Sequence, residues 1–218
     1  QDHKARDDGD KGPNTGGMGA YSPAPVVTTN LHKKIMDEVI IPTIEGLNKE
    51  GMNYCGFLYA GLMIDKNKNI KVLEFNCRFG DPETQPILLR MKSDLINLCF
   101  EAAEGKLVES EIVWDERVSL GVVMAAGGYP NNYDKGFEIS GLLEDETEDL
   151  KIFHAGTSLN KEDKVVTNGG RVLCVTALGS NTKEAKEKAY QQVKSIKWEK
   201  AYFRRDIGYR ALNREADE

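Results

Sequence analysis

The sequence predicts a mixed fold of α+β or α/β class, because apolar strand segments alternate with helical segments along the chain. Residues 53–65 are mostly apolar and residues 70–79 alternate apolar with polar side chains; the two segments flank the polar turn "KNKN", as expected of an antiparallel hairpin. A helix over residues 183–196 follows an apolar strand, with Asn181 or Thr182 at its start. We find no internal repeats or low-complexity tracts.

The first part of the chain begins with a turn-rich segment, residues 1 to about 30, which has too much Gly, Pro and Asn for a regular element. A helix is predicted next, with Thr29 or Asn30 as its cap and a kink at Pro42. Its core stripe is formed by Leu31, Ile35, Val39 and Leu47. Segment 53–65 is predicted to be a buried strand.

A further helical region is predicted over residues 84–104, with Ser93 or Asp94 as an internal cap. Its core stripe consists of Leu95, Leu98, Cys99 and Ala102. The helical spacing of apolar residues gives way to polar residues between Gly105 and Arg117. We therefore predict two domains, residues 1–108 and 109–218. Strands "VSLGVVMAA", "KIFHAG" and "NGGRVLCVTALG" and the acidic loop "EDETED" belong to the second.

Composition indicates a globular protein of the aqueous phase. Hydrophobic residues make up 40% of the 218 and charged residues 29%, and no apolar run is long enough to span a membrane. The net charge of −6 argues against a general nucleic-acid surface. The four cysteines form no CxxC pair and lie in apolar contexts, which predicts buried free thiols in a reducing cytoplasm; a disulfide or zinc site is the alternative.

The chain opens with Gln1-Asp2-His3-Lys4, without Met and without a signal-peptide pattern. We expect an excerpt of a longer polypeptide, whose missing N-terminal portion would be needed to complete any shared site.

The stretch "VLEFNCRFGDPETQ" carries Glu74, Asn76 and Arg78 at every second position before it breaks at Gly80. In a strand, Glu74, Asn76 and Arg78 share one face, while the apolar residues between them share the other. Carboxylate and amide oxygens suit Mg²⁺, and a guanidinium can neutralise a transferring phosphoryl group. A solvated strand face with a Glu–Arg ion pair is the alternative.

The loop "GPNTGGMGAYSP" is the second candidate site. Its glycines permit close approach of the backbone to a ligand, and successive N–H groups can bind an anion. It matches neither GxGxxG nor a Walker A sequence. A plain surface turn is the alternative.

These two stretches closely resemble the phosphoribosylamine–glycine ligase family, whose members are also called glycinamide ribonucleotide synthetases. The same resemblance is found in "GFLYAGLMID", "LRMKSDL", "GVVMAAGGYP" and "VVTNGGRVLCVTALG". The resemblance covers essentially the whole chain in order. It implies an α+β fold: the second half of an ATP-grasp domain, an antiparallel sheet with helices, followed by a small mixed α/β C-terminal domain.

The resemblance also implies an activity. Members of the family join glycine to 5-phosphoribosylamine in purine biosynthesis, using ATP and Mg²⁺ or Mn²⁺, through a glycyl phosphate. The metal ligands would be Glu74 and Asn76, and Arg78 would be the catalytic arginine. Substrate-binding residues would be Asn14, Thr15, Gly16, Gly17, Asp81 and Glu83.

Two alternatives remain: another ATP-grasp carboxylate–amine ligase, and a fragment that is silent without its missing half. The sequence also departs from the wider superfamily, since Gly61 occupies the position where many members carry a further acidic ligand. We expect structural or solvent roles for His3, His32 and His154, and a solvated helix face with ion pairs for "YFRRDIGYR".

Overall fold

A computed structural model describes residues 1–107, 112–142 and 147–217, which form two compact units. Unit 1 comprises residues 1–24, 81–91 and 114–218, and unit 2 comprises residues 25–80 and 92–113. The strands are β1 (Ala5–Asp7), β2 (Lys11–Asn14), β3 (Gly19–Ser22), β4 (Tyr59–Ile64), β5 (Ile70–Asn76), β6 (Val118–Ala125), β7 (Leu150–His154), β8 (Thr157–Leu159), β9 (Val165–Thr167) and β10 (Arg171–Gly179). The helices are α1 (Thr29–Ile35), α2 (Ile41–Lys49), α3 (Thr84–Arg90), α4 (Leu95–Ala103), α5 (Thr182–Ser195) and α6 (Tyr209–Asp217).

Unit 1 is built on an antiparallel sheet with strand order β3-β6-β10-β7. The central strands β6 and β10 are buried on both faces, since α5 packs on one side and α3 is also in contact with both strands. Leu120, Val122 and Met124 belong to the main core, while a Cβ on Gly121 would lie 3.0 Å from Cys174 Sγ and 3.5 Å from Pro86 Cδ. Burial on both faces explains why these strands are near-continuous apolar runs instead of alternating ones.

Helix α5 places Ala185, Ala189 and Val193 against the sheet at helical spacing. Its N-cap is Asn181, whose Oδ1 accepts a hydrogen bond from the Glu184 amide at 2.9 Å. The sequence prediction of this helix and of its cap is confirmed.

The first 30 residues correct the sequence prediction, because they contain the three strands β1, β2 and β3. Strands β1 and β2 pair with each other, and β3 is the edge strand of the main sheet, paired with β6. Long-range pairing, which local composition does not reveal, orders this segment despite its glycines and prolines.

A buried charge cluster in unit 1 corrects the prediction for "YFRRDIGYR". Arg204 is fully buried and donates to both carboxylate oxygens of Asp206 at 2.8 Å, to Asp10 Oδ1 at 3.0 Å and to the Ala5 carbonyl at 3.0 Å. His3 is also fully buried, and its Nε2 accepts from the Gly208 amide at 3.1 Å. Ion pairs are present as expected, but this arginine fixes the N-terminal segment to the C-terminal one and is not solvated.

Unit 2 begins with α1, capped by Thr28 and not by Thr29 or Asn30. A π-helical segment, Met36–Ile40, separates α1 from α2 just before Pro42. Proline lacks the N–H of a regular turn and its ring crowds the preceding turn, which accounts for a local irregularity where the kink was expected. The predicted helical region 84–104 is likewise divided into α3 and α4, and Asp94 is confirmed as the cap of α4.

The β4–β5 hairpin of unit 2 is antiparallel, as the sequence predicted, but β4 is shorter than predicted and only Gly61 in it is buried. Three apolar residues of β5 are exposed: Val72 (44%), Leu73 (64%) and Phe75 (42%). Helix α4 has no buried residue, so its predicted core stripe is wrong for this structure. All four cysteines are free; Cys174 is buried, whereas Cys55, Cys77 and Cys99 are exposed, contrary to expectation.

The predicted domain boundary at residues 108/109 and part of the acidic run, residues 144–146, lie outside the described residues. No helix within the described ranges is long and apolar enough to cross a membrane.

Candidate active site

The predicted metal ligands Glu74 and Asn76 lie in β5, in unit 2. Glu74 is opposite Gly61 of β4, and Asn76 is opposite Tyr59. The hairpin register shifts just before Glu74, so that Glu74 and Asn76 remain in phase with each other. Being two residues apart in one strand, the two side chains project from the same face at a spacing of about 6–7 Å.

Arg78 follows the end of β5, and its Nη1 donates to the neighbouring Phe79 carbonyl at 2.8 Å. The alternative interpretation required an ion pair between Glu74 and an arginine. Within the described part of the chain, no ion pair to Glu74 is formed. The exposed carboxylate of Glu74 therefore remains available to a cation.

The donor set of β5 fits a hard divalent cation. Glu74 offers carboxylate oxygens, Asn76 offers an amide oxygen, and the buried amide nitrogen of Asn76 makes no hydrogen bond among the described residues. A side chain at position 61 would crowd Glu74, because a Cβ on Gly61 would lie 3.0 Å from Glu74 Cγ. No group of three or more His, Cys, Asp or Glu side chains suited to a metal occurs in the described ranges.

The predicted glycine-rich loop belongs to unit 1; it includes most of β2, the connection at residues 15–18 and all of β3. Thr15 anchors it: its amide and its hydroxyl both donate to the Lys4 carbonyl at 2.8 Å, and its Oγ1 accepts from the Gly17 amide at 3.0 Å. Gly17 has φ +119° and is packed so closely that a Cβ would lie 2.2 Å from Pro82 Cδ. The loop therefore requires glycine here and contacts the segment that follows Gly80.

The structure brings two of the predicted substrate-binding residues together through an arginine that sequence reasoning missed. Arg171 Nη1 donates to the Gly16 carbonyl at 2.9 Å and to Asp81 Oδ1 at 2.8 Å, and its Nη2 donates to Asp81 Oδ2 at 2.6 Å. Tyr129 Oη accepts from the Gly16 amide at 3.0 Å. Arg171 follows "NGG", and Tyr129 follows "GG". Nothing in the neighbouring sequence of either residue predicts its contact with a loop more than 100 positions away.

The remaining predicted residues of unit 1 flank this cluster in the sequence. Asn14 is the last residue of β2 and is exposed, and Glu83 is the N-cap residue of α3.

A cavity of about 230 Å³ lies beside the Asp81–Arg171 pair. It is lined by Asp81, Gln85, Val123, Ala155, Arg171, Leu173 and Cys174. Burial raises the pKa of the Cys174 thiol to about 12, which keeps it protonated and unsuited to act as a nucleophile or metal ligand. The polar groups of this cavity that suit a ligand are therefore the Asp81 carboxylate, the Arg171 guanidinium and the Gln85 side-chain amide.

Comparison with solved structures identifies the class of fold. The chain superposes on biotin carboxylase from Campylobacter jejuni with a TM-score of 0.61, covering 86% of this chain and 40% of that one at 12% identity, which shows the fold alone. It superposes on the phosphoribosylamine–glycine ligase of Thermotoga maritima with a TM-score of 0.81 at 40% identity, covering 95% of this chain and 50% of that one. The chain has the α+β fold of a portion of an ATP-grasp enzyme.

Sequence comparison identifies the family. Residues 1–84 match the phosphoribosylglycinamide synthetase ATP-grasp (A) domain, and residues 119–210 match the C domain of the same synthetase. The phosphoribosylamine–glycine ligases of Escherichia coli O157:H7 and Yersinia pestis are each 62% identical to this chain, over 215 and 214 residues. The chain belongs to the phosphoribosylglycinamide synthetase family, and it spans about half the length of these curated relatives: 50% of each, against 99% and 98% of this chain.

Proposed function

We propose that this chain forms part of an ATP-dependent ligase that joins glycine to 5-phosphoribosylamine, yielding glycinamide ribonucleotide, ADP and phosphate. The geometry of β5 carries the proposal: the Glu74 carboxylate, which has no ion-pair partner among the described residues, and the Asn76 amide share one face of the strand. The chain is also 62% identical to an enzyme named for this reaction. The proposal includes a role of this reaction in purine biosynthesis and a location in the cytoplasm.

The reaction would proceed in two steps. A carboxylate oxygen of glycine attacks the γ-phosphorus of ATP, and the bond to ADP breaks to leave glycyl phosphate. The amine nitrogen of phosphoribosylamine then attacks the acyl carbon, phosphate leaves, and the amine loses a proton. Both steps place charge on phosphate oxygens, so positioning and charge neutralisation supply most of the acceleration.

Each predicted residue takes a role in this scheme. Glu74 and Asn76 would hold a divalent cation, Mg²⁺ or Mn²⁺, which when bound offsets charge on the phosphates. Arg78 would exchange its hydrogen bond with the Phe79 carbonyl for an oxygen of the transferring phosphoryl group. Substrate contacts are assigned to Asn14, Thr15, Gly16, Gly17, Asp81 and Glu83.

We also propose that the remaining half of the enzyme covers the apolar surface of unit 2. Ile96 (67%) and Phe100 (65%) in α4 are exposed, together with Leu73 and Phe75 in β5. Leu73 and Phe75 are two residues apart in β5, and Ile96 and Phe100 are four residues apart in α4, so each element exposes two large apolar side chains close together. Clustered exposed apolar side chains are typical of surfaces that bind another protein segment. This surface favours the second candidate, a chain that is silent alone, as the behaviour of the isolated polypeptide.

The test is glycine-dependent phosphate release in the presence of ATP, Mg²⁺ and phosphoribosylamine. The assay is run on this chain alone and on this chain supplied with the remaining half of the ligase of Escherichia coli K12, which is 61% identical over the shared region. Release only from the combined halves supports the proposal. Its absence from combined halves that are both folded contradicts it. Equal release when glycine is replaced by another amino acid would favour a different carboxylate–amine ligase.

A further inference from the structure

Arg171, the first residue of β10, contacts two candidate substrate-binding residues that are far apart in the sequence. Its guanidinium makes a bidentate pair with Asp81, at 2.8 and 2.6 Å, and reaches the Gly16 carbonyl at 2.9 Å. A planar fork that meets both carboxylate oxygens fixes the orientation of the carboxylate as well as its position.

Gly16 is held at both of its backbone polar groups by side chains from the second half of the chain. Its amide donates to Tyr129 Oη and its carbonyl accepts from Arg171. A Cβ on Gly16 would lie 2.7 Å from the Arg171 guanidinium carbon, which is closer than such atoms approach. The backbone of the loop thus lies directly against the guanidinium, with no room for a side chain at position 16.

Stability alone does not account for this arrangement. The Asp81 side chain is 55% exposed and that of Arg171 is 22% exposed. Ion pairs with this exposure typically contribute little to folding stability. The Asp81–Arg171 pair also forms part of the wall of the 230 Å³ cavity described above. This cavity is smaller than the roughly 300–1,000 Å³ typical of pockets for drug-sized ligands, and it suits a small substrate group.

We propose that Arg171 is a positioning residue for the ligation, holding the Gly16 carbonyl and the Asp81 carboxylate in the geometry that binds the small substrates. This inference rests on the function proposed above. A carboxylate oxygen has more than one lone pair, so Asp81 retains acceptor capacity for a substrate amine while Arg171 holds it. The C domain, through β10, would thereby shape the substrate side of the ATP-grasp portion.

The first test measures steady-state kinetics in this chain joined to the remaining half of the Escherichia coli K12 ligase. Arg171→Ala should lower kcat by about 10²-fold, the effect of a misplacement near 1 Å, and Arg171→Lys should lose less because it keeps the charge without the fork. The KM for ATP should stay unchanged in both. Arg117 provides the matched control, since it pairs with Asp115 at 2.8 Å and Asp149 at 2.7 Å in the same unit.

Arg117→Ala and Arg117→Lys should leave kcat close to that of the parent while lowering Tm at least as far as the Arg171 variants do. A purely structural role for Arg171 predicts the opposite: Tm and active fraction fall together, with kcat per folded enzyme unchanged. That result would overturn the proposal.

The second test uses the close contact at Gly16. Gly16→Ala should impair kcat strongly in the parent, because its methyl group overlaps the guanidinium, and much less in the Arg171→Ala background, where the overlapping atoms are gone. Additive effects of the two substitutions would overturn the proposal. If the joined parent and the Arg117 variants also lack glycine-dependent phosphate release, the proposed function itself fails, and the inference fails with it.

Discussion

Acidification from pH 7 to pH 4 should destabilise unit 1 through His3. Its side chain is fully buried, its Nε2 accepts from the Gly208 amide, and its Nδ1 makes no hydrogen bond among the described residues. Because Nε2 is an acceptor, the ring is neutral with its proton on Nδ1. Burial lowers the pKa of His3 to about 4, and the positive charges of Arg204 and Arg210 act in the same direction.

Asp10 and Asp206 oppose this shift without cancelling it. Asp10 Oδ1 lies 3.8 Å from His3 Nδ1, which is too far for a hydrogen bond, and both carboxylates are already engaged by Arg204. Protonated His3 would therefore be a buried cation among arginines whose carboxylate partners are already occupied.

The magnitude follows from linkage between protonation and folding. In the unfolded chain the pKa of His3 is the ordinary 6.5, so above that pH the ring is neutral in both states and the stabilisation is complete. Between pH 6.5 and about pH 4 the unfolded chain gains a proton that the folded chain does not, at a cost of about 1.4 kcal/mol per pH unit. The free energy of unfolding should fall by about 3 kcal/mol over this range through His3 alone.

Urea unfolding followed by tryptophan fluorescence measures this effect, since both tryptophans, Trp114 and Trp198, belong to unit 1. His3→Gln retains an acceptor for the Gly208 amide but does not titrate, so its stability should fall less steeply with acid. His32→Gln, on the exposed surface of α1, is the matched control and should follow the parent. Equal losses of unfolding free energy in the parent and in His3→Gln between pH 7 and pH 4 would refute the reasoning.

Three further substitutions test other parts of the structure. Arg204→Leu should lower the free energy of unfolding by about 3–5 kcal/mol, because it leaves the Asp10 and Asp206 carboxylates without their buried partner; a loss below 1 kcal/mol in urea unfolding, about the value of a surface pair, would contradict this. Asn181→Ala should cost about 1 kcal/mol by removing the α5 cap, and Thr182→Ser at the next position offers a comparison that leaves the cap in place. Glu74→Gln should abolish Mg²⁺-dependent turnover of the joined enzyme without changing Tm, since the side chain is exposed; full turnover at limiting Mg²⁺ would remove Glu74 from the metal site.

The sequence predicted the elements whose causes are local. Asn181 caps α5 and Asp94 caps α4 because their side chains bond amides two or three residues away. The β4–β5 hairpin follows from two apolar runs around a polar turn, and the phase of Glu74 and Asn76 follows from strand alternation. The family resemblance was likewise visible in the sequence, because its motifs are continuous stretches of the chain.

Tertiary structure decided what depends on partners distant in the chain. Pairing with β6 makes a strand of Gly19–Ser22, where composition predicted a loop, and Arg204 becomes the buried centre of an ion-pair cluster instead of a surface residue. Arg171 meets Gly16 only because the main sheet places β10 beside that loop. Local propensity acts over a few residues, whereas burial and ion pairing depend on which segments the fold brings together, so the sequence alone determined the candidate residues and the fold determined how unit 1 holds them.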